Sequence, residues 1–252
     1  MMKLAIAVIA AALLAGCSTV APPPREGARP VAVTPFSAGR PGGALPGHWE
    51  PWILARFKRP THYELVRDAG ATVVHARAEA SASGLSHPLD DLDAREYRDL
   101  RWRWRVDELL RTQDNTRRAT EDASVRLVIR FGGDMAKLDF AERTFAAQVK
   151  AMTGQDLPYA TLMYIWGRRA EVDRVIVNRH TERIRMIVAE TGPAHLGTWR
   201  DFRRDLYEDF KRAFEEEPGP ITGIGIMTDT DNTGETAHAW YGDISLTKRA
   251  AP

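Results

Sequence analysis

Asp229, Asp231 and Thr233 alternate in the segment Asp229-Thr230-Asp231-Asn232-Thr233-Gly234, directly after the apolar run Ile221 to Met227. Side chains two apart on a strand share a face, so Asp229 and Asp231 can form the carboxylate pair that glycoside hydrolysis requires. The same residues match the first, third and fifth ligand positions of a calcium loop, with Gly234 at its tight turn. Trp240 stands where a helix–loop–helix site needs a bidentate Glu, and no helical pattern flanks the segment, which excludes that site. A single structural Ca²⁺ on Asp229, Asp231 and Thr233 stays open. So does a plain turn, in which Asp and Asn side chains bond the loop's own backbone.

The arginines are spaced for a different chemistry. Arg101, Arg103 and Arg105 alternate with Trp102, Trp104 and Val106. Arg126, Val128 and Arg130 oppose Leu127, Ile129 and Phe131, while Arg183 and Arg185 oppose Ile184, Met186 and Val188. Ile224 and Ile226 set the core face of their strand and turn Asp229 and Asp231 away from it. On the last strand Trp240, Ile244 and Leu246 read as inward, which turns Tyr241 and Asp243 outward. Arg103, Arg126, Arg183, Asp229, Asp231, Tyr241 and Asp243 are therefore expected to share one polar sheet face. Guanidinium forks bind carboxylates and phosphates bidentately, and Tyr241 or Trp166 can stack on a sugar ring. That face is a candidate ligand groove, or else a solvated surface laced with ion pairs.

Other chemistries lack their residues. A strand ending in Asp-x-Asp-x-Thr is similar to the nucleophile motif of haloacid-dehalogenase-like phosphatases. Too few residues follow Thr233 to complete that fold, and βα alternation is missing. The histidines (His48, His62, His75, His87, His180, His195 and His238) form no zinc spacing. There is neither a nucleophile elbow nor a phosphate-binding glycine loop. No catalytic residue and no cofactor is assigned, with Asp229 and Asp231 kept as the alternative carboxylates of an envelope hydrolase.

Short alternating runs must position these groups. Tyr63 to Arg67 and Thr72 to Ala78 flank Asp68-Ala69-Gly70, a hairpin signal. Further strands are expected at Trp102 to Val106, Val125 to Phe131, Thr161 to Trp166, Ile184 to Val188, Ile221 to Thr228 and Ala239 to Leu246. Asp139 to Met152 reads as a helix behind an Asp cap and closed by Gly154. Trp199 to Glu216 reads as a second, from the four-residue spacing of Phe202, Leu206, Phe210 and Phe214. The fold class is all-β with added helices, a jelly-roll-like antiparallel β-sandwich.

The chain opens with Lys3, an apolar run and Leu14-Ala15-Gly16-Cys17, a lipobox whose cysteine is the single one present. Residues 1–16 are expected to be a lipoprotein signal peptide and Cys17 the acylated N-terminus. Several acyl chains on one cysteine exceed what stable membrane anchoring needs. Ser18 in place of Asp follows the sorting rule for the outer membrane, so the expectation is a periplasmic domain anchored there. Residues 17–47 hold seven of the 15 prolines and read as a disordered Pro/Gly-rich tether. Residues 48–248 form the single domain. The chain has 35 basic against 34 acidic residues, a balance that gives no reason to bind nucleic acid.

Several strings together resemble a bacterial family known as domain of unknown function 3047. They include Ser81-Ala82-Ser83-Gly84-Leu85, Trp102-Arg103-Trp104-Arg105-Val106, Tyr159 to Trp166, Tyr207 to Phe214, Met227 to Thr233, and Tyr241-Gly242-Asp243-Ile244. The resemblance implies a secreted or lipid-anchored β-rich domain and carries over no reaction. Trp240 to Leu246 looks like the closing strand of galactose-binding-like jelly rolls, common among carbohydrate-binding modules. The expected function is a non-catalytic module for a glycan or cell-envelope polymer. A hydrolase or a structural, protein-interaction domain are the alternatives.

Overall fold

A computed structural model describes residues 30, 31 and 33–249; Cys17 lies outside them. Two sheets, with strands numbered in chain order, face each other as a β-sandwich. The front sheet contains β1 (Pro30–Val31), β3 (His62–Asp68), β4 (Ala71–Glu79), β6 (Tyr97–Val106), β11 (Arg200–Asp205), β13 (Thr236–Tyr241) and β14 (Ser245–Lys248). Its order is β1-β14-β6-β13-β4-β3, with β11 on the other edge of β6. The back sheet contains β2 (Glu50–Trp52), β5 (Ala82–Leu92), β7 (Ala123–Phe131), β8 (Ala160–Gly167), β9 (Val175–Val177), β10 (Ile184–Thr191) and β12 (Ile221–Asp229). Its order is β2-β5-β12-β7-β8-β10-β9, antiparallel except for β8 with β10.

Alternation decides what enters the core. Trp102, Trp104 and Val106 of β6 point inward with their arginines outside, and meet Leu127, Ile129 and Phe131 of β7 and Ile224 and Ile226 of β12 in one core. The back sheet is buried on both sides. Val128, Met163, Ile165, Met186, Val188 and Met227 form a second cluster on its outer face. This is why β8 is buried along its whole length and reads as an apolar run. The β3–β4 hairpin turns at Ala69 and Gly70, both at positive φ (46° and 81°), the backbone that a two-residue turn of matching twist requires.

α1 (Phe140–Thr153) has the expected caps. Asp139 accepts from the Glu142 N–H at 2.8 Å, and Gly154 (φ 75°) donates back to the Lys150 carbonyl. The second helix corrects the reading from Trp199. Residues 200–205 are strand β11, and α2 (Leu206–Phe214) begins only after Asp205 caps it. The edge of β6 explains the change, because its unpaired backbone groups bond Arg200 to Asp205. Phe202 then packs against Trp102 and Trp104 at 5.0 and 5.1 Å between ring centres. Leu206, Phe210 and Phe214 still close the core, as their spacing predicts.

Two further differences concern the chain ends of the domain. Phe36 is fully buried in the main core against Trp49, so the folded unit begins inside the segment read as tether. Ala239 to Leu246 is two strands along one edge of β6, interrupted at Gly242 to Ile244. The interruption shifts the parity. Ile244 and Leu246 face inward as expected, but Tyr241 takes the inward place read for Trp240.

The two helices differ in how they are held. α1 has no buried residue, whereas α2 buries Leu206, Asp209, Phe210, Ala213 and Phe214. In hydrogen exchange, α1 amides are expected to exchange through local opening and α2 amides only with global unfolding. Equal protection of the two helices would refute this difference.

Candidate functional site

Arg126 and Asp229 meet on the outer side of the back sheet, where β7 lies beside β12. Nε and Nη2 of Arg126 donate to the two carboxylate oxygens of Asp229 at 2.8 and 2.9 Å. The Ala123 N–H adds a third bond to Asp229 at 3.2 Å, and the Glu121 carbonyl accepts from Arg126 Nη2. Both side chains are almost fully buried. Burial pushes the Asp229 carboxyl up to about 6, with Arg126 pulling it back. Burial opposes the Arg126 charge too, but Asp229 outweighs it and raises the guanidinium above its ordinary value.

Tyr241 belongs to the same knot. Its hydroxyl donates to the Met227 carbonyl at 2.7 Å, lies 2.7 Å from Thr228 Oγ1 and accepts from the Arg126 N–H at 3.4 Å. It pins the front sheet to the back one. It does not face a ligand groove, which corrects the outward reading. Trp166 is likewise core, fully buried with Nε1 donating to the Gly192 carbonyl.

The residue just before β7, Asp122, meets the loop after β12, and the sequence reading missed it. Asp122, Asp229 and Asp231 each bring an oxygen within 4.8 Å of the others. Each is already matched. Lys58 Nζ lies 2.6 Å from Asp231, Arg126 holds Asp229, and Asp122 accepts from Asn232 Nδ2 and the Thr233 N–H at 2.9 and 2.7 Å. Thr233 Oγ1 turns to the Thr230 carbonyl. Two cations and the loop amides thus occupy the donors that Ca²⁺ would need, so the set fits a turn better than a metal. As a catalytic pair, Asp229 fails on access.

The other candidates lie elsewhere. Arg103 is on the outer face of the front sheet, over the Trp199 ring at 4.6 Å, in a shallow depression that Asp243 also lines. Asp243 accepts from the Ser37 N–H and hydroxyl at 2.9 and 2.5 Å. Arg183 sits by β10, bonded to Glu216 and the Tyr159 carbonyl. The expected single face does not form: Arg103 belongs to one sheet and Arg126 to the other, with Arg183 directly before β10.

A further group of arginines gathers on loops. The segment between β6 and β7 converges with the β8–β9 loop around a cavity of about 610 Å³ lined by Arg111, Arg117, Arg168, Arg169 and Arg174. Arg111 pairs with Glu235 and Arg117 with Asp114. Arg168, Arg169 and Arg174 have no carboxylate partner among the described residues, and Arg168 Nη1 donates only to the Leu110 carbonyl. Gln113 and Asn115 hold the loop from within. Gln113 Nε2 donates to Asn115 Oδ1 and the Trp166 carbonyl, both at 2.9 Å, and Asn115 Nδ2 to the Glu121 and Asp122 carbonyls. Strand alternation could not find this site. Its only sequence signal is Arg168-Arg169 directly after the largely apolar run of β8, with Arg174 close behind.

A family profile described as "Protein of unknown function (DUF3047)" matches residues 47–245. The chain belongs to this family. No curated protein matches it. The DUF3047 chain is similar to the family 11 carbohydrate-binding module of the cellulosomal cellulase Lic26A-Cel5E of Clostridium thermocellum. That likeness has 10% identity and a TM-score of 0.41 over 83% of this chain and 92% of that one. A family 30 carbohydrate-binding module of cellulase Cel9D-Cel44B from the same organism gives 10% identity and 0.35, over 83% and 91%. A β-1,2-glucanase of Parabacteroides distasonis gives 11% and 0.36, over 81% of this chain and 24% of that one. At these scores nothing about ligand or activity follows for the DUF3047 chain.

The knot has a pH consequence. The Asp229 carboxyl lies above its ordinary value of 3.8, so its protonated form is favoured by folding. Its contribution to stability is full below 3.8 and is lost as pH rises through about 6. Denaturant unfolding of the wild type and Asp229→Asn across this window is expected to show the wild type losing stability relative to the variant. A relative gain with rising pH would mean that Arg126 outweighs burial.

Proposed function

We propose that this chain is a non-catalytic module that binds a glycan or cell-envelope polymer in the arginine-lined cavity. We also propose that Cys17 anchors it to the outer membrane as a periplasmic lipoprotein. The observation that carries the binding reading is the trio Arg168, Arg169 and Arg174. They converge on a concave site with no carboxylate in ion-pair contact among the described residues, among loops braced by buried amides. Cavities of this size with a few convergent polar groups are where small ligands or polymer segments seat. Charges paired within the protein, such as Arg126 and Asp229, have no capacity left for a ligand. The hydrolase reading is weaker because Asp229 is buried and doubly bonded to Arg126.

Full-length protein incubated with peptidoglycan, lipopolysaccharide and polysaccharides is expected to retain one of them without releasing reducing ends or phosphate. Product release would favour the hydrolase, and retention of none would end the binding reading. The anchor is tested separately. Wild-type protein is expected to label with fatty acid and fractionate with membranes, and Cys17→Ala to lose both; an unlabelled, soluble wild type would refute it.

A further inference from the structure

Residues 33–39 run along the sandwich as a strap that belongs to no strand, so no sheet ladder depends on them. Three points hold the strap. The Phe36 ring is buried against Trp49, with 4.5 Å between ring centres. The Ser37 N–H and hydroxyl donate to Asp243. The Thr34 N–H donates to Nε2 of His87 at 3.1 Å, and the Thr34 carbonyl accepts from Trp49 Nε1 at 2.8 Å. His87, on β5, is only 2% exposed. Its Nδ1 lies 2.8 Å from the Pro88 carbonyl, which can only accept, so Nδ1 carries the ring's proton. Nε2 then keeps the lone pair that Thr34 needs. Neutral imidazole is the one form that satisfies both nitrogens.

The groups around the ring favour that form. β12 sets Ile224 beside His87, the strap brings Thr34, and the segment before β2 brings Trp49 and His48. The His48 ring centre is 5.6 Å away, and an imidazolium there repels a second one. Glu50 pairs with Ser86 and acts on Arg130, on the other face of the sheet. Asp243 is bound to Ser37, and Asp90 and Asp91 lie beyond Pro88 on β5. Burial thus holds His87 below its ordinary value of 6.5, with the Pro88 carbonyl opposing and His48 adding to it.

We propose that His87 is an acid-operated latch for this strap. A proton on Nε2 turns the acceptor into a second donor, facing an N–H fixed in the backbone. The Thr34 hydroxyl, 3.4 Å from Nε2, can rotate to accept the new proton, but the Thr34 N–H is then left without an acceptor. The strap loses one of its three holds while the sheets keep all their ladders. The closed strap favours neutral His87, so the latch is shut above 6.5 and loosens as pH falls below that value.

Hydrogen exchange of the full-length protein, corrected for the intrinsic pH dependence of exchange, tests this. From about pH 7.5 to about pH 5, the amides from Thr34 to Gly39 are expected to lose about tenfold or more in protection, since one unit of coupled protonation is worth about a factor of ten. Amides of β7, β8 and β12 are expected to stay protected. The Oε1 of His87→Gln can still accept from Thr34 but does not titrate, so this variant is expected to hold strap protection constant with pH. His48→Gln is expected to leave the loss in place. If glutamine at 87 disturbs folding, imidazole nitrogen NMR of the wild type decides: His87 is expected as the Nδ1–H tautomer when the strap is closed, and its protonation is expected to track the opening. Constant strap protection in the wild type, or an equal loss in the folded His87→Gln variant, would overturn the latch. So would His87 protonating with the strap still closed. Loss of protection in the sheets together with the strap would make the transition global unfolding and overturn it as well.

Discussion

Arg126 enters the sheet with its charge intact, and much of the molecule is arranged around that demand. Removing a guanidinium from water costs several kcal/mol unless a counter-charge and hydrogen bonds replace it. Asp229 supplies the charge bidentately, the Glu121 carbonyl takes a further N–H, and the Met163 and Met186 sulfurs pack against Nη1. Each partner fixes a different part of the chain. Asp229 sets where β12 ends, Ala123 where β7 begins, and Glu121 where the loop before β7 must lie. Tyr241 then ties this point to the opposite sheet.

The arginine-lined cavity depends on that arrangement without using its charges. The Glu121 carbonyl that receives Arg126 also receives Asn115, whose side chain receives Gln113, which in turn bonds the Trp166 carbonyl at the end of β8. A continuous line of hydrogen bonds runs from the buried ion pair to the cavity wall. Loops positioned by a rigid scaffold are where binding groups concentrate. Here the scaffold's charged core holds the loop between β6 and β7, and the β8–β9 loop beside it carries Arg168, Arg169 and Arg174, which have no carboxylate in ion-pair contact among the described residues.

The regular elements were legible because local chemistry and tertiary packing agree there. The Trp/Arg alternation of β6, the Ala69-Gly70 turn and the Asp139 and Gly154 caps of α1 each express a single constraint. Reading failed where two constraints competed. Phe202, Leu206, Phe210 and Phe214 keep helical spacing, but the open edge of β6 claims the first of them for a strand. Gly242 breaks an otherwise continuous strand, so the parity carried from Leu246 gives the wrong face at Tyr241. A shared polar face could not be deduced from alternation either, since period two tells inside from outside but not which sheet a strand joins.

The Asp229 cluster shows why residue type alone is a poor guide to chemistry. Three acids within 4.8 Å suggest a metal or a catalytic pair, yet every one has a partner from the protein itself. A ligand can gain only from groups whose hydrogen-bonding or charge is still unmet in the folded chain, because displacing an internal partner costs what that partner contributed. By that criterion the acids are structural. The open capacity lies with the guanidinium forks of Arg168, Arg169 and Arg174 on the wall of one cavity, which have no carboxylate in ion-pair contact among the described residues.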